Sequence, residues 1–403
     1  MINLELSPGL QNIEQMTHQM AESMFRPISR KYDTKEHTAP KELEMFGKMM
    51  QSQGRGNPMD SLGSDKNDTD VKIKNGGNMM GVVSVANMCW GDAGLMLAIP
   101  GQGLGNAAIG AVATAAQKER FGPMYAAMAI TEPGTGSDSA NIQTSAKLDG
   151  DEWVLNGTKI FVTDGERCNA VVVWATLDKS KGKAAIKSFV VQKGAPGMEV
   201  VRLEKKMGIR ASDTAVIQFT DCRIPKGNIL GSPDIAETEE ERKKAFGGVM
   251  QTFDNTRPIV AAMALGVGKA ALDMTLAIIK KEGIEPAYDK SLFNSTALEA
   301  ELYRMEADLD AARLLTLKAA WMADNKQPNS MEASMCKAKA GRVGNYITLR
   351  CVEICSSLGY GHEYLLEKFA RDSKILDIFE GTQQIQQLIV ARRVLGKSSA
   401  ELK

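Results

Sequence analysis

Two stretches of the chain combine reactive side chains with conformationally special residues. The first is Ile378-Phe379-Glu380-Gly381-Thr382-Gln383-Gln384-Ile385. It sets a carboxylate between apolar residues, beside a glycine and just ahead of a threonine suited to cap a helix. Carboxylates move protons, although a glutamate in such a place commonly caps a helix or faces solvent. The second is Ala129-Ile130-Thr131-Glu132-Pro133-Gly134-Thr135-Gly136-Ser137-Asp138. Proline and glycine make a tight loop whose amides and hydroxyls can hold a polar ring or a phosphate. Taken alone, it also reads as an ordinary turn.

The elements that must position these stretches fall into three regions. Leu10, Ile13, Met20, Met24 and Ile28 recur at helical spacing, with Pro27 expected to kink or shorten the helix. A polar loop is expected over 51–78, then a buried helix over Met79–Ile99 and a small-residue helix over Asn106–Arg120. From about 126 to 228 the pattern turns to short strands. Trp153–Leu155 and Ile160–Val162 flank Asn156-Gly157, a hairpin signal, and Ala170–Leu177, Ser188–Gln192, Met198–Leu203 and Ala215–Phe219 add further strands. The third region is helical: Thr238 with Glu241 is a candidate capping box opening a helix to about Lys281. Further helices fit Thr296–Asp324, Ser330–Leu358, Tyr364–Ile378 and Gln383–Leu395. The fold class is therefore mainly α with a middle β-domain, a small sandwich or barrel. The domain boundaries are placed at 1–125, 126–236 and 237–403.

Composition excludes several function classes. The chain has 403 residues, 43% of them apolar, enough for two or three packed domains. Lysine plus arginine equals aspartate plus glutamate at 49 each, which gives no argument for nucleic acid. Three histidines and six scattered cysteines argue against a metal site or a disulfide framework, and a reducing cytoplasm fits. Met1–Leu10 lacks a signal-peptide pattern. The most apolar stretch, Met79–Ile99, carries Asn87 and Asp92 and reads as a core helix rather than a membrane span. Gly101, Gly103 and Gly105 miss the dinucleotide-binding spacing, and close helix contact is the simpler use. Cys351 and Cys355 read as core thiols, and His362-Glu363 lacks a second histidine for zinc.

Six motifs in order give the chain a resemblance to the acyl-CoA dehydrogenase family over nearly its whole length. They are Thr131–Asp138; Asn156-Gly157-x-Lys159-x-Phe161-Val162-Thr163-Asp164-Gly165, with Phe161 where the family usually has Trp; Met207-Gly208-x-Arg210; Asp254-x-Thr256-Arg257-Pro258; Arg371-Asp372-x-Lys374; and Glu380-Gly381-Thr382 followed by Gln386 and Ala391-Arg392. The resemblance implies a helical domain, a β-domain and a C-terminal bundle, with FAD bound between subunits of a tetramer. It implies that Glu380 takes the α-proton of an acyl-CoA thioester while a hydride leaves the β-carbon for the flavin. Met128, Ile130, Thr131, Gly136, Ser137, Phe161 and Thr163 are expected to meet FAD from the strands, and Thr382 and Gln384 from the bundle. Ser137, Asp254, Arg257 and Gly381 are expected at the substrate. Some relatives carry the base at the position of Thr256, which threonine cannot serve.

The chain also departs from the family. Lys280–Asp289 lacks the arginine that reaches the FAD pyrophosphate; Glu285 stands near its place, and Glu353 replaces a glutamine. Acidic groups there would repel a pyrophosphate. Three readings follow: an active dehydrogenase passing electrons to electron-transferring flavoprotein; an FAD-poor or non-catalytic subunit of a heteromer with a paralogue; and a flavin enzyme of the same fold catalysing another acyl-CoA reaction. Leu95–Ile99 is expected to line the far end of the acyl pocket, with no arginine for a second carboxylate.

Overall fold

The computed structural model describes residues 6–52, 75–101, 103–235, 238–398 and 401; for 46, 48–52, 239–255 and 292 it describes only the backbone. The Glu241 side chain of the expected capping box with Thr238, the Asp254 side chain and most of the expected polar loop lie outside the described residues.

Helices α1 (Pro8–Met20), α2 (Arg26–Thr34), α3 (Lys41–Ser52), α4 (Gly77–Gly91), α5 (Ala93–Leu97), α6 (Leu104–Val112) and α7 (Ala115–Phe121) precede the strands. The proline effect is realised as a π turn over Ala21–Phe25, after which α2 begins with Pro27 in its first turn. The apolar stretch is two helices, because Asp92 breaks it: extended there, it accepts from the Leu95 amide at 2.8 Å and caps α5. Likewise Thr114 divides the small-residue helix by capping α7. Gly103 and Gly105 do permit close packing, but against strand β1 (Ala126–Ala129), where a Cβ on Gly105 would lie 2.3 Å from the Ala127 carbonyl oxygen.

Strands β2 (Ser145–Asp149), β3 (Glu152–Thr163), β4 (Ala170–Thr176), β5 (Ile186–Gln192), β6 (Met198–Leu203) and β7 (Thr214–Pro225) complete one seven-stranded sheet in the order β1-β4-β2-β3-β7-β6, with β5 on the other edge of β4. Strand β4 is buried at every residue, as its unbroken apolar run requires. The Asn156-Gly157 hairpin does not exist. Strand β3 runs straight through that dipeptide, and the chain reverses instead at Gly150-Asp151, pairing Asp149 with Glu152. Gly157 is needed for close approach: a Cβ there would sit 2.5 Å from Thr144 Oγ1. Asn156-Gly157 marks a register shift between β3 and β7 rather than a turn.

Helices α8 (Glu239–Lys281), α9 (Ala297–Asp324), α10 (Ser330–Ile354), α11 (Ser356–Tyr360), α12 (Leu366–Ile375) and α13 (Gln383–Leu395) form the bundle. Thr296 and Glu299 make a reciprocal capping box at the start of α9. The last residue of α9, Asp324, accepts from the Gly76, Asn78 and Met79 amides at 2.8–3.0 Å, so it caps α4 from across the core. Among the described residues the helical segment long and apolar enough to cross a bilayer is Thr256–Lys281, and 72% of that window is buried in the core.

Candidate active site

Glu380 lies in the joint between α12 and α13. Its φ is +54° and that of Gly381 is +94°, so two successive residues occupy left-handed backbone, a strained turn that needs outside support. The Gln386 side-chain amide donates to the Glu380 and Gly381 carbonyls at 3.2 and 3.1 Å, and Lys337 Nζ on α10 donates to the Gly381 carbonyl at 2.6 Å. Thr382 caps α13, accepting from the Ile385 amide at 3.4 Å, which fixes the far side of the turn. The half-buried Glu380 carboxylate accepts from Thr256 Oγ1 of α8 at 3.2 Å. Burial pushes its pKa above the ordinary glutamate value, against the opposing effects of the Thr256 hydrogen bond and the charges of Arg257 and Lys337.

Arg257 is only 4% exposed and its Nη1 donates to Ser334 Oγ at 3.5 Å, so the structure places it with the carboxylate inside the bundle. Gly381 belongs to the same turn; Gln384 is exposed at the start of α13. Leu95, Met96 and Ile99, expected to line a pocket, are 0%, 1% and 4% exposed. They are packed into the main hydrophobic core.

The second loop is organised around Glu132. This carboxylate is buried and accepts from Lys159 Nζ at 2.8 Å, from the Thr144 amide and hydroxyl at 2.9 and 2.6 Å, and from the Gln143 amide at 2.5 Å. Lys159, wholly buried, also donates to the Ile130 carbonyl at 2.8 Å, and the Ile160 amide donates to the Thr131 carbonyl at 2.9 Å. Loop 130–132 is thereby pinned beside Phe161. Phe161 is 60% exposed with φ +58°; Met128, Ile130, Thr131 and Thr163 are half-buried, and Gly136 and Ser137 are exposed. An exposed aromatic next to apolar side chains and hydroxyls fits a planar ring with a polar edge.

The strand platform and the Glu380 turn are tied together by two of the sequence motifs. The Gly208 segment docks on α12, where a Cβ on Gly208 would lie 2.4 Å from the Arg371 carbonyl oxygen. Arg371 Nη1 donates to the Met207 carbonyl at 2.9 Å, and the Ile209 amide donates to Asp372 Oδ1 at 2.6 Å. Arg371 also pairs with Asp33 and Glu367, both at 2.7 Å. The sequence reading named these motifs without seeing that they meet. It gave no role to Lys337, which in sequence is one lysine among many.

Each acidic departure has an ion-pair partner, although Arg350 is shared with Glu301. Glu285 pairs with Lys280 at 3.1 Å, and Glu353 pairs with Arg350. A groove of about 900 Å³ lies between α9, α10 and α13, lined by Leu315, Met335, Val343, Val390 and Val394 among others.

A helical domain, a strand platform and a helical bundle carrying a carboxylate turn make up the architecture of the acyl-thioester oxidoreductases. Profiles described as "Acyl-CoA dehydrogenase, middle domain" and "Acyl-CoA dehydrogenase, C-terminal domain" match residues 127–222 and 246–395. Short-chain specific acyl-CoA dehydrogenase, mitochondrial, of Rattus norvegicus is 38% identical over 274 residues, 68% of this chain and 64% of that protein's length. Acryloyl-CoA reductase (NADH) of Anaerotignum propionicum is 31% identical over 98% of this chain and 96% of its own. The structure of butyryl-CoA dehydrogenase from Megasphaera elsdenii superposes with a TM-score of 0.83 at 28% identity, covering 98% of this chain and 100% of that one. The chain belongs to the acyl-CoA dehydrogenase family, whose members are FAD-dependent.

Proposed function

We propose that the chain catalyses FAD-dependent α,β-dehydrogenation of a short acyl-CoA thioester to the 2-enoyl-CoA, with Glu380 as the base. The observation that carries this is the contact between Glu380 and Thr256, 3.2 Å apart. The two positions from which this family presents its base converge here, and only one of them holds a carboxylate. The α-hydrogen of a thioester is weakly acidic, so the base must sit where its protonated form is tolerated. Burial raises the Glu380 pKa and so favours holding the proton once taken; Arg257 and Lys337 offset the cost of the ionised starting state.

Met128, Ile130, Thr131, Gly136, Ser137, Phe161 and Thr163 would hold FAD from the strands, and Thr382 and Gln384 from the bundle. When bound, FAD supplies the acceptor for the β-hydride. Ser137, Asp254, Arg257 and Gly381 would meet the acyl-CoA. The packing of Leu95, Met96 and Ile99 into the core favours a short acyl chain. Electron-transferring flavoprotein is the proposed acceptor, and the cytoplasm the proposed compartment. The groove along α13, with Leu388, Val394 and Leu395 42%, 70% and 59% exposed, supports assembly as a homotetramer or with a paralogue. The pairing of Glu285 with Lys280 favours an FAD-loaded enzyme over an FAD-poor subunit, because the lysine offsets the charge of that acid.

A second reading is favoured by the full-length relative named an acryloyl-CoA reductase. The same site run in reverse would use protonated Glu380 as the acid toward a 2-enoyl-CoA. Anaerobic absorbance scans separate the two directions: butyryl-CoA and propionyl-CoA are tested for bleaching oxidised flavin, and acryloyl-CoA for re-oxidising flavin first reduced with dithionite. Glu380→Gln should keep the flavin and slow bleaching by butyryl-CoA by about 10²–10⁴-fold. Near-normal bleaching by that variant would place the base elsewhere.

A further inference from the structure

Lys337 is 1% exposed, and a buried ammonium is costly unless it is well partnered. The partner seen is a backbone carbonyl, that of Gly381 at 2.6 Å, on the left-handed turn that carries Glu380. We infer that Lys337 is a positioning residue for the catalytic carboxylate: its ammonium fixes the Gly381 peptide, and its charge keeps Glu380 ionised before the proton is taken. This rests on the reading of Glu380 as the base.

Two side chains grip the turn from different helices. Gln386 of α13 donates to both carbonyls, at 3.2 and 3.1 Å, and Lys337 of α10 donates to the second. The amide grip is neutral, so only the lysine grip brings charge. The other groups around the carboxylate are Thr256 and Arg257 on α8 and Asp377 after α12, itself 3.7 Å from Lys374. The further residue of α13 at this joint, Gln383, is neutral and donates to the Ala338 carbonyl at 2.6 Å. Arg257 is therefore a second cation whose charge favours ionised Glu380, and Asp377 supports the Lys337 ammonium. Burial lowers the Lys337 pKa to about 8, with Asp377 and Glu380 resisting that shift and Arg257 adding to it, so the ammonium is charged at neutral pH.

The test uses FAD-loaded enzyme. Lys337→Gln keeps a neutral donor, Lys337→Arg keeps the charge, and Lys337→Met removes both. One readout is the pH dependence of anaerobic flavin bleaching by butyryl-CoA. The other is the infrared band of the protonated Glu380 carboxyl followed against pH without substrate, assigned by its loss in Glu380→Gln. In the Gln and Met variants the band should persist to higher pH than in wild type, and the acid limb of the rate profile should move with it. At the acid end the rate should fall by about tenfold, and Lys337→Arg should restore the wild-type limb. A band and limb unmoved in Lys337→Gln, whatever its melting temperature, would overturn the proposal and leave Lys337 a packing residue. If Glu380→Gln itself bleaches normally, the base assignment fails separately. The infrared titration then still decides whether Lys337 acts on that carboxylate.

Discussion

Glu132 and Glu380 are both withdrawn from water, and the fold treats them in opposite ways. Around Glu132 an ammonium, two amides and a hydroxyl converge. Burial alone would raise its pKa, but Lys159, Thr144 and Gln143 together hold it below the ordinary value. Around Glu380 a hydroxyl at 3.2 Å and two cations acting at longer range leave the pKa raised. A saturated carboxylate is an anchor, and its proton chemistry is switched off. An under-partnered one is poised to take a proton, and the backbone strain beneath it shows how much support that poise requires.

Three variants can break this contrast. The largest expected effect is at the anchor. Lys159→Met strands a buried carboxylate and should cost about 3–5 kcal/mol of stability by chemical denaturation. A loss near zero would make Glu132 as tolerant as a surface group and erase the contrast. Next is the stability of Glu380→Gln. Because the folded pKa of Glu380 is raised, its contribution to stability is fully present below the unfolded value and is lost as pH rises through the folded one. The variant should therefore melt higher than wild type at pH 8, with the gain vanishing toward about pH 4. A variant less stable than wild type at pH 8 would show that the carboxylate is an anchor too. The smallest is Thr256→Val, which removes a hydroxyl that lowers the Glu380 pKa. The acid limb of flavin bleaching should move up while stability changes by about 1 kcal/mol or less. An unmoved limb would mean the contact has no influence on ionisation.

Elements with a strong period or a defined cap were readable from sequence. Helix α13 falls where Gln383–Leu395 was expected, and α9 starts where Thr296 can cap it. Strand β6 matches Met198–Leu203, its start set by the Pro196-Gly197 turn before it. Strands β1 and β2 escaped notice: one is four residues of alanine and methionine, and the other buries only Ala146. Asn156-Gly157 misled because a glycine required by a neighbouring strand looks the same in sequence as one required by a turn. Within the site, Glu380 and the glycine loop were visible as motifs. The grip of Lys337 on Gly381, 44 residues away, was not, since it depends on how α10 lies against the joint. The same holds for Glu132 and Lys159, whose pairing spans 27 residues and only the folded sheet brings together.

Backbone meets backbone where Gly208 rests on the Arg371 carbonyl and the Asp372 amide, at 2.4 and 2.6 Å from where a Cβ would stand. That contact works as a socket: the Gly208 backbone seats against α12 with no room for a side chain between them. A single methyl group added at Gly208 would act as a wedge, widening the gap between the platform and the carboxylate while leaving both chemically intact. Residue 208 thus sets a spacing, and the smallest side chain in the alphabet is the gauge that keeps it.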